Sequence, residues 1–209
     1  MKQLFKTWVF IILSLSLLLS LGVARADVAS PVTVLNKAAD EMLASLAQNK
    51  SRLKNGDSII YGIVNRVLVP YVDLDRMSMM VVGRQYWTSA TPAQKTEFIN
   101  QFTRLVISTY AAALASYDDD KVQFFPLRGD YASSNILTVR SVIIRRSGQR
   151  IRVDYNVVRS GNSWKVYDFS IENISMVQSY RSQFSDVLAQ QGMAGLLKRL
   201  QAHNKNIKS

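Results

Sequence analysis

Asp168 is the residue in this 209-residue sequence best placed to do chemistry, because it sits inside an apolar stretch between Tyr167 and Phe169. A buried carboxylate needs hydrogen bonds, or its pKa must rise. One reading makes Asp168 a general base in a cone-shaped fold, paired with Tyr155 or Tyr167 as in an isomerase or hydratase. The other makes it a structural carboxylate bonded to backbone amides or to an Arg. No second acid or base stands beside it at a readable spacing, which favours the structural reading. His203 is the single histidine and lies in a Lys-rich tail without a partner pattern, so it reads as a solvated surface residue. Asp118, Asp119 and Asp120 lack the spacing of a calcium loop and read as a solvated turn. The sequence contains no G-x-S-x-G, no Gly-rich phosphate loop and no His-based zinc motif. It has no cysteine, which removes disulfides, thiolate catalysis and Cys-based metal sites. The expectation is therefore no catalytic residue, no metal and no cofactor.

What remains is a surplus of large apolar residues, and their pattern defines the elements that would position any site. Ser30 and Pro31 open a helix as N-cap and first helical residue. Leu35, Ala39, Met42, Leu43 and Leu46 give it an apolar stripe. After a polar loop over 48–57, Ile60, Ile63, Val64, Val67 and Leu68 repeat the helical spacing until Pro70 stops it. A short helix over 74–82 ends at Gly83. Thr91, Pro92 and Gln94 form a capping box that launches the longest helix, to about 116. Its expected face is Phe98, Phe102, Leu105, Val106, Thr109, Tyr110 and Ala113.

From 121 to 174 the period becomes two. Leu137, Val139, Ser141 and Ile143 alternate with Thr138, Arg140 and Val142. Ile151, Val153, Tyr155 and Val157 alternate with Arg152, Asp154 and Asn156. Turns at 146–149 and 160–162 separate the runs. This predicts about four strands in an antiparallel meander. Helix returns from 175, with Val177, Tyr180, Phe184, Val187 and Leu188 on one side, then Leu196, Leu197 and Leu200 after Gly192. The fold class is α+β: helices over 31–116, a curved sheet over 121–174, and C-terminal helices over 175–204, with the sheet backed by helices.

The first 26 residues read as a secretory signal peptide. Lys2 and Lys6 precede an apolar run over 8–21, and Ala24-Arg25-Ala26 forms an A-x-A exit. The run is short for a membrane span, which needs about 20 residues. The expectation is a chain cleaved after Ala26, leaving one domain over 27–209 outside the cytoplasm. The net charge of +11 would suggest nucleic acid in a cytoplasmic protein. Export turns that reading toward anionic lipid headgroups or an acidic partner, with simple solubility as the plain alternative. Lys198 and Arg199 are among the surface cations that could steer docking.

Two blocks carry a family resemblance. The first runs from Leu74-Asp75-Arg76-Met77-Ser78 through Val82-Gly83-Arg84-Gln85-Tyr86-Trp87 to Ala90-Thr91, Gln94, Phe98 and Phe102. The second is Gly161-Asn162-Ser163-Trp164-Lys165-Val166-Tyr167-Asp168, then Ile171-Glu172-Asn173-Ile174-Ser175 and Tyr180-Arg181-Ser182-Gln183-Phe184. Together they resemble the MlaC-type periplasmic phospholipid-binding proteins, also called the toluene-tolerance family, over residues 31–200. The departure is Asn173, where the family usually has Gly. Asn tolerates a left-handed backbone, so the turn survives. The resemblance implies an NTF2-like, helix-backed curved sheet that buries phospholipid tails and leaves the headgroup exposed. It also implies a periplasmic shuttle between an outer-membrane lipoprotein–porin complex and an inner-membrane ABC transporter complex, maintaining outer-membrane lipid asymmetry. Phospholipid would be cargo rather than cofactor, and the carrier is expected to be monomeric and to bind no nucleic acid.

A sheet curved around helices can leave an apolar cavity suited to acyl chains. Candidate liners on the sheet are Val139, Ile143, Val153, Tyr155, Val157, Val166 and Phe169. Candidates on the helices are Phe102, Val106, Tyr110, Met176 and Tyr180. Each could instead be filled core, and a one-residue error in strand parity would swap faces. A binder of another apolar molecule and a structural adaptor with a filled core stay open beside the enzyme.

Overall fold

The computed structural model describes residues 29–53, 57–127, 131 and 133–205. The expected signal peptide and its cleavage site lie outside these residues. Helix α1 spans Pro31–Gln48 with Pro31 at its first position, and α2 spans Asp57–Val67. A 3₁₀ turn at Val69–Tyr71 accommodates Pro70, which cannot continue α2. Helix α3 covers Leu74–Val82, capped by Asp73, whose carboxylate accepts from the Arg76 amide at 3.0 Å. Gly83 ends α3 at φ 86°, a conformation that strains any residue with a Cβ. A six-residue helix α4, Arg84–Ser89, follows; the periodicity did not reveal so short an element. Helix α5, Pro92–Ala115, begins with both halves of the Thr91/Gln94 capping box.

The sheet is antiparallel with strand order β1-β2-β3-β4-β5: Lys121–Phe124, Ile136–Ile144, Arg150–Ser160, Ser163–Ile171 and Ile174–Ser175. The expected four strands become five because the last run breaks at Glu172 and Asn173, both left-handed at φ 49° and 67°. Asn173 thus holds the conformation expected of it. Helix α6, Met176–Lys205, contains a non-helical Gly192 (φ 62°) that divides it in two.

The buried apolar side chains of the described residues form three clusters rather than one. The largest joins α3, α4, α5 and α6 around Phe98, Phe102, Phe184 and Leu196. A second joins α1, α2 and the C-terminal half of α5 around Leu53, Ile60 and Ile107. The third seats Val34 and Leu35 of α1 on Val139, Val157, Trp164 and Val166 of the sheet. This division corrects the single stripe expected for α5. Phe98 and Phe102 face α6, but Ile107 and Ala111 turn toward α2, and Ala113 is exposed. A 24-residue helix serving two clusters need not keep one face.

Candidate functional site

The strand register decides which side chains share a face. Leu137 lies opposite Val157, which lies opposite Val166; Val139 lies opposite Tyr155, which lies opposite Phe169. Ser141 follows with Val153 and Ile171, and Ile143 with Ile151. Val166 and Phe169 have opposite parity in sequence, so an unbroken strand would send them to opposite faces. A register shift between Asn156 and Val157 inserts Tyr167 as an extra residue and returns both to one face. All seven sheet candidates, Val139, Ile143, Val153, Tyr155, Val157, Val166 and Phe169, therefore share the face that meets the helices. Phe124, Leu137, Ile151 and Ile171 join them. Leu137 and Ile151 were already implied by the alternation; the bulge had no readable signal.

Exposure varies along this inner face, and Leu137 and Tyr155 are half-buried beside fully buried neighbours. Val139 and Val157 are wholly buried, whereas Ile143, Ile151 and Ile171 are half-buried. Ile174 of β5, opposite Ile171, is 67% exposed. The helix candidates divide. Phe102, Met176 and Tyr180 are buried within the α3–α6 cluster, and the Phe102 and Tyr180 rings meet edge to face at 5.1 Å. Val106 and Tyr110 are half-buried, and the Tyr110 ring meets Phe169 across the helix–sheet boundary at 5.7 Å.

Few polar groups enter this surface. Ser141 donates its hydroxyl to Val153 O at 3.0 Å. Tyr180 and Thr109 share a hydroxyl–hydroxyl bond of 2.8 Å. Burial pushes the Tyr155 phenol above its ordinary pKa, with the Ser141 hydroxyl pulling the other way. Burial does the same to Tyr180, opposed by Thr109, and to Tyr110, where Tyr180 adds to the effect.

Asp168 faces the other way. It lies opposite Asn156 on the outer side of the sheet, next to but not sharing a face with Tyr155. Its side chain is buried, and its oxygens accept from the Val177 amide (3.1 Å), the Ser175 hydroxyl (2.8 Å) and Asn156 Nδ2 (3.4 Å). Ser175 in turn accepts from the Gln178 amide at 3.1 Å. The carboxylate thus sits at the positive end of α6 and helps cap it. His203 is exposed.

The acidic turn is more than solvated. Asp120 is buried and pairs with Arg145 of the β2–β3 hairpin at 3.3 Å. Arg145 also donates to the Ser116 carbonyl and hydroxyl at the end of α5. Lys50 and Arg146 pair with Asp118 and Asp119. This network ties the sheet tip to the helical layer. It was missed because no sequence period links positions so far apart.

The comparisons with known proteins come to the same fold. A family model described as MlaC protein matches residues 36–202. The intermembrane phospholipid transport system binding protein MlaC of Haemophilus influenzae is 30% identical over 175 residues, covering 82% of this chain and 81% of that protein. The toluene tolerance protein ttg2D of Pseudomonas putida is 28% identical over 163 residues, covering 78% of this chain and 75% of its own. The solved structure of the phospholipid-binding protein from Ralstonia solanacearum, in complex with a phospholipid, superposes with a TM-score of 0.79 at 30% identity. It covers 86% of this chain and 99% of its own. With its sheet, its helical layer and its sequence all matching over most of their length, the chain belongs to the MlaC family.

Proposed function

We propose that this chain is a non-enzymatic carrier that holds the acyl tails of a phospholipid between the inner face of the sheet and the helices. It is exported to the periplasm and passes its cargo between an outer-membrane lipoprotein–porin complex and an inner-membrane ABC transporter complex. The observation that carries the reading is the half-burial of Tyr155, Phe169 and Ile171 on the inner face of the sheet, beside the buried Val153 and Val157. Apolar surface left accessible on that face is surface an acyl chain can cover. The division of the buried apolar side chains into three clusters, with the sheet and helices α2–α6 contributing to different ones, supports the same reading. The phospholipid bound to the Ralstonia protein supplies the ligand class.

The energetics explain why a carrier helps. Each methylene removed from water is worth about 0.8 kcal/mol. A diacyl lipid with roughly 30 of them would cost on the order of 20 kcal/mol to expose. An apolar wall that is never wetted lowers that barrier, and a passive wall gives no direction, which must come from the partners.

The test is organic extraction of the purified protein followed by mass spectrometry, on the wild type and on Val153→Lys and Val157→Lys. Phospholipid should be recovered from the wild type and lost from both variants. An extract free of lipid, or lipid retained at full stoichiometry by both variants, overturns the proposal.

A further inference from the structure

The outer face of the sheet has no place in the carrier reading, and its composition is unusual for a surface with no partner. The same register that gathers the apolar residues inward gathers cations outward. Lys121, Ile144 and Arg150 form one row, Gln123, Val142 and Arg152 the next, then Arg140 and Asp154, and at the far end Ile136, Val158 and Lys165. Arg152 is engaged by Asp154 at 2.6 Å. Arg140 and Arg150 are exposed, and among the described residues neither has an acidic partner within ion-pair distance. Of the other carboxylates on this side, Glu172 accepts from the Arg152 amide at 2.6 Å, and Asp168 is buried under the start of α6.

Exposed apolar side chains are ordinary when scattered singly. Here their placement carries information. Three large apolar side chains of the described residues are exposed, and two of them, Phe125 (43%) and Ile136 (55%), lie on this basic face. Phe125 continues β1 by one residue, its amide donating to Arg140 O at 2.9 Å. Because Phe124 points inward to Tyr155, alternation sends the Phe125 ring outward beside Arg140. Ile136 lies on the same face of β2, with Thr138 between it and Arg140.

We infer that the outer face of the sheet is a docking surface for an anionic lipid bilayer. Uncommitted guanidinium and ammonium groups meet lipid phosphates, and Phe125 and Ile136 enter the headgroup–acyl boundary. A bilayer accepts both features at once, the cations at its phosphates and the two apolar side chains at the headgroup–acyl boundary. Such docking holds the carrier against a membrane with its inner face and cargo turned away from the lipid phase. The inference does not depend on what the interior holds.

The test is co-sedimentation of the full chain with phosphatidylcholine vesicles, with and without phosphatidylglycerol, at low and high salt. Every variant is compared in the same background, so any contribution of the N-terminal segment cancels. Wild type should sediment with the anionic vesicles only, and salt should release it. Arg140→Glu and Arg150→Glu should each weaken binding about fivefold or more. Phe125→Ser with Ile136→Ser should weaken it while leaving its salt dependence unchanged. All four positions are exposed, and an unaltered circular dichroism spectrum and thermal midpoint confirm folding. Three results overturn the inference: no dependence on phosphatidylglycerol, sedimentation unchanged by the four substitutions, or a wild-type dimer in sedimentation equilibrium that these substitutions dissociate, which would make the occupant a second copy. Loss of lipid on organic extraction bears on the interior alone, so the two readings fail separately.

Discussion

Replacing Asp168 separates a structural carboxylate from a catalytic one, and the structure sets the expected size of the effect. In Asp168→Ala the buried Val177 amide loses its acceptor, which costs about 1–3 kcal/mol. The negative charge at the start of α6 is lost too, for about 0.3–1 kcal/mol. The Ser175 hydroxyl can rotate toward another acceptor, so its bond adds little. The sum is about 1–4 kcal/mol, or a fall of about 3–15 °C in thermal midpoint for a domain of this size. Asp168→Asn keeps one acceptor oxygen and should cost about half as much. Stability should be measured by urea denaturation after delipidation, because bound lipid would stabilise the native state by mass action and mask the difference. The order should be wild type, Asn, Ala. An Asn variant with an unchanged midpoint would refute the capping argument. Any substrate turnover abolished by Asp168→Asn at an unchanged midpoint would restore the catalytic reading.

Other expectations follow from the same contacts. Arg145→Ala leaves the buried Asp120 carboxylate unpaired and frees the hairpin from α5, so it should cost about 3 kcal/mol in urea denaturation; an unchanged midpoint would mean that the network is ornamental. The phenols of Tyr155, Tyr110 and Tyr180 are all raised by burial. A raised folded pKa gives stability that is present below the unfolded value of about 10 and lost as pH rises through the folded value. Thermal midpoints should therefore fall only above about pH 10, and less steeply in Tyr155→Phe; equal slopes would contradict the burial of that phenol. Asn173 sits at φ 67°, so Asn173→Gly should be neutral or slightly stabilising and Asn173→Val should cost about 1–2 kcal/mol. Equal midpoints for the two variants would show that the turn has relaxed.

Much of the architecture was legible because local signals and tertiary outcome agree. Thr91, Pro92 and Gln94 marked the start of α5 as found, and Leu74 to Gly83 framed α3 residue for residue. The alternation in β2 and β3 sorted inner from outer side chains correctly because one face of the sheet meets apolar helices. Legibility failed where structure depends on distant partners. Ala113 fitted the helical period but is exposed, since α5 changes cluster midway. Asp120 looked like part of a solvated turn until Arg145 met it from another hairpin. The carboxylate of Asp168 was expected to be structural, and its donors are the Val177 amide and two side chains rather than an Arg.

The extra residue at Tyr167 also acts as a phase setter for everything downstream. Deleting one residue from β4 on its N-terminal side would rotate the rest of the strand by half a period. The charge of Asp168 would then point into the oil and the Phe169 ring into solvent, while α6 would lose its cap in the same step. Length variation in this strand should therefore be far less tolerated than substitution. Insertions are better accommodated in the exposed tip of the β2–β3 turn between Arg145 and Gln149, where Gly148 already bends the chain at φ 86°.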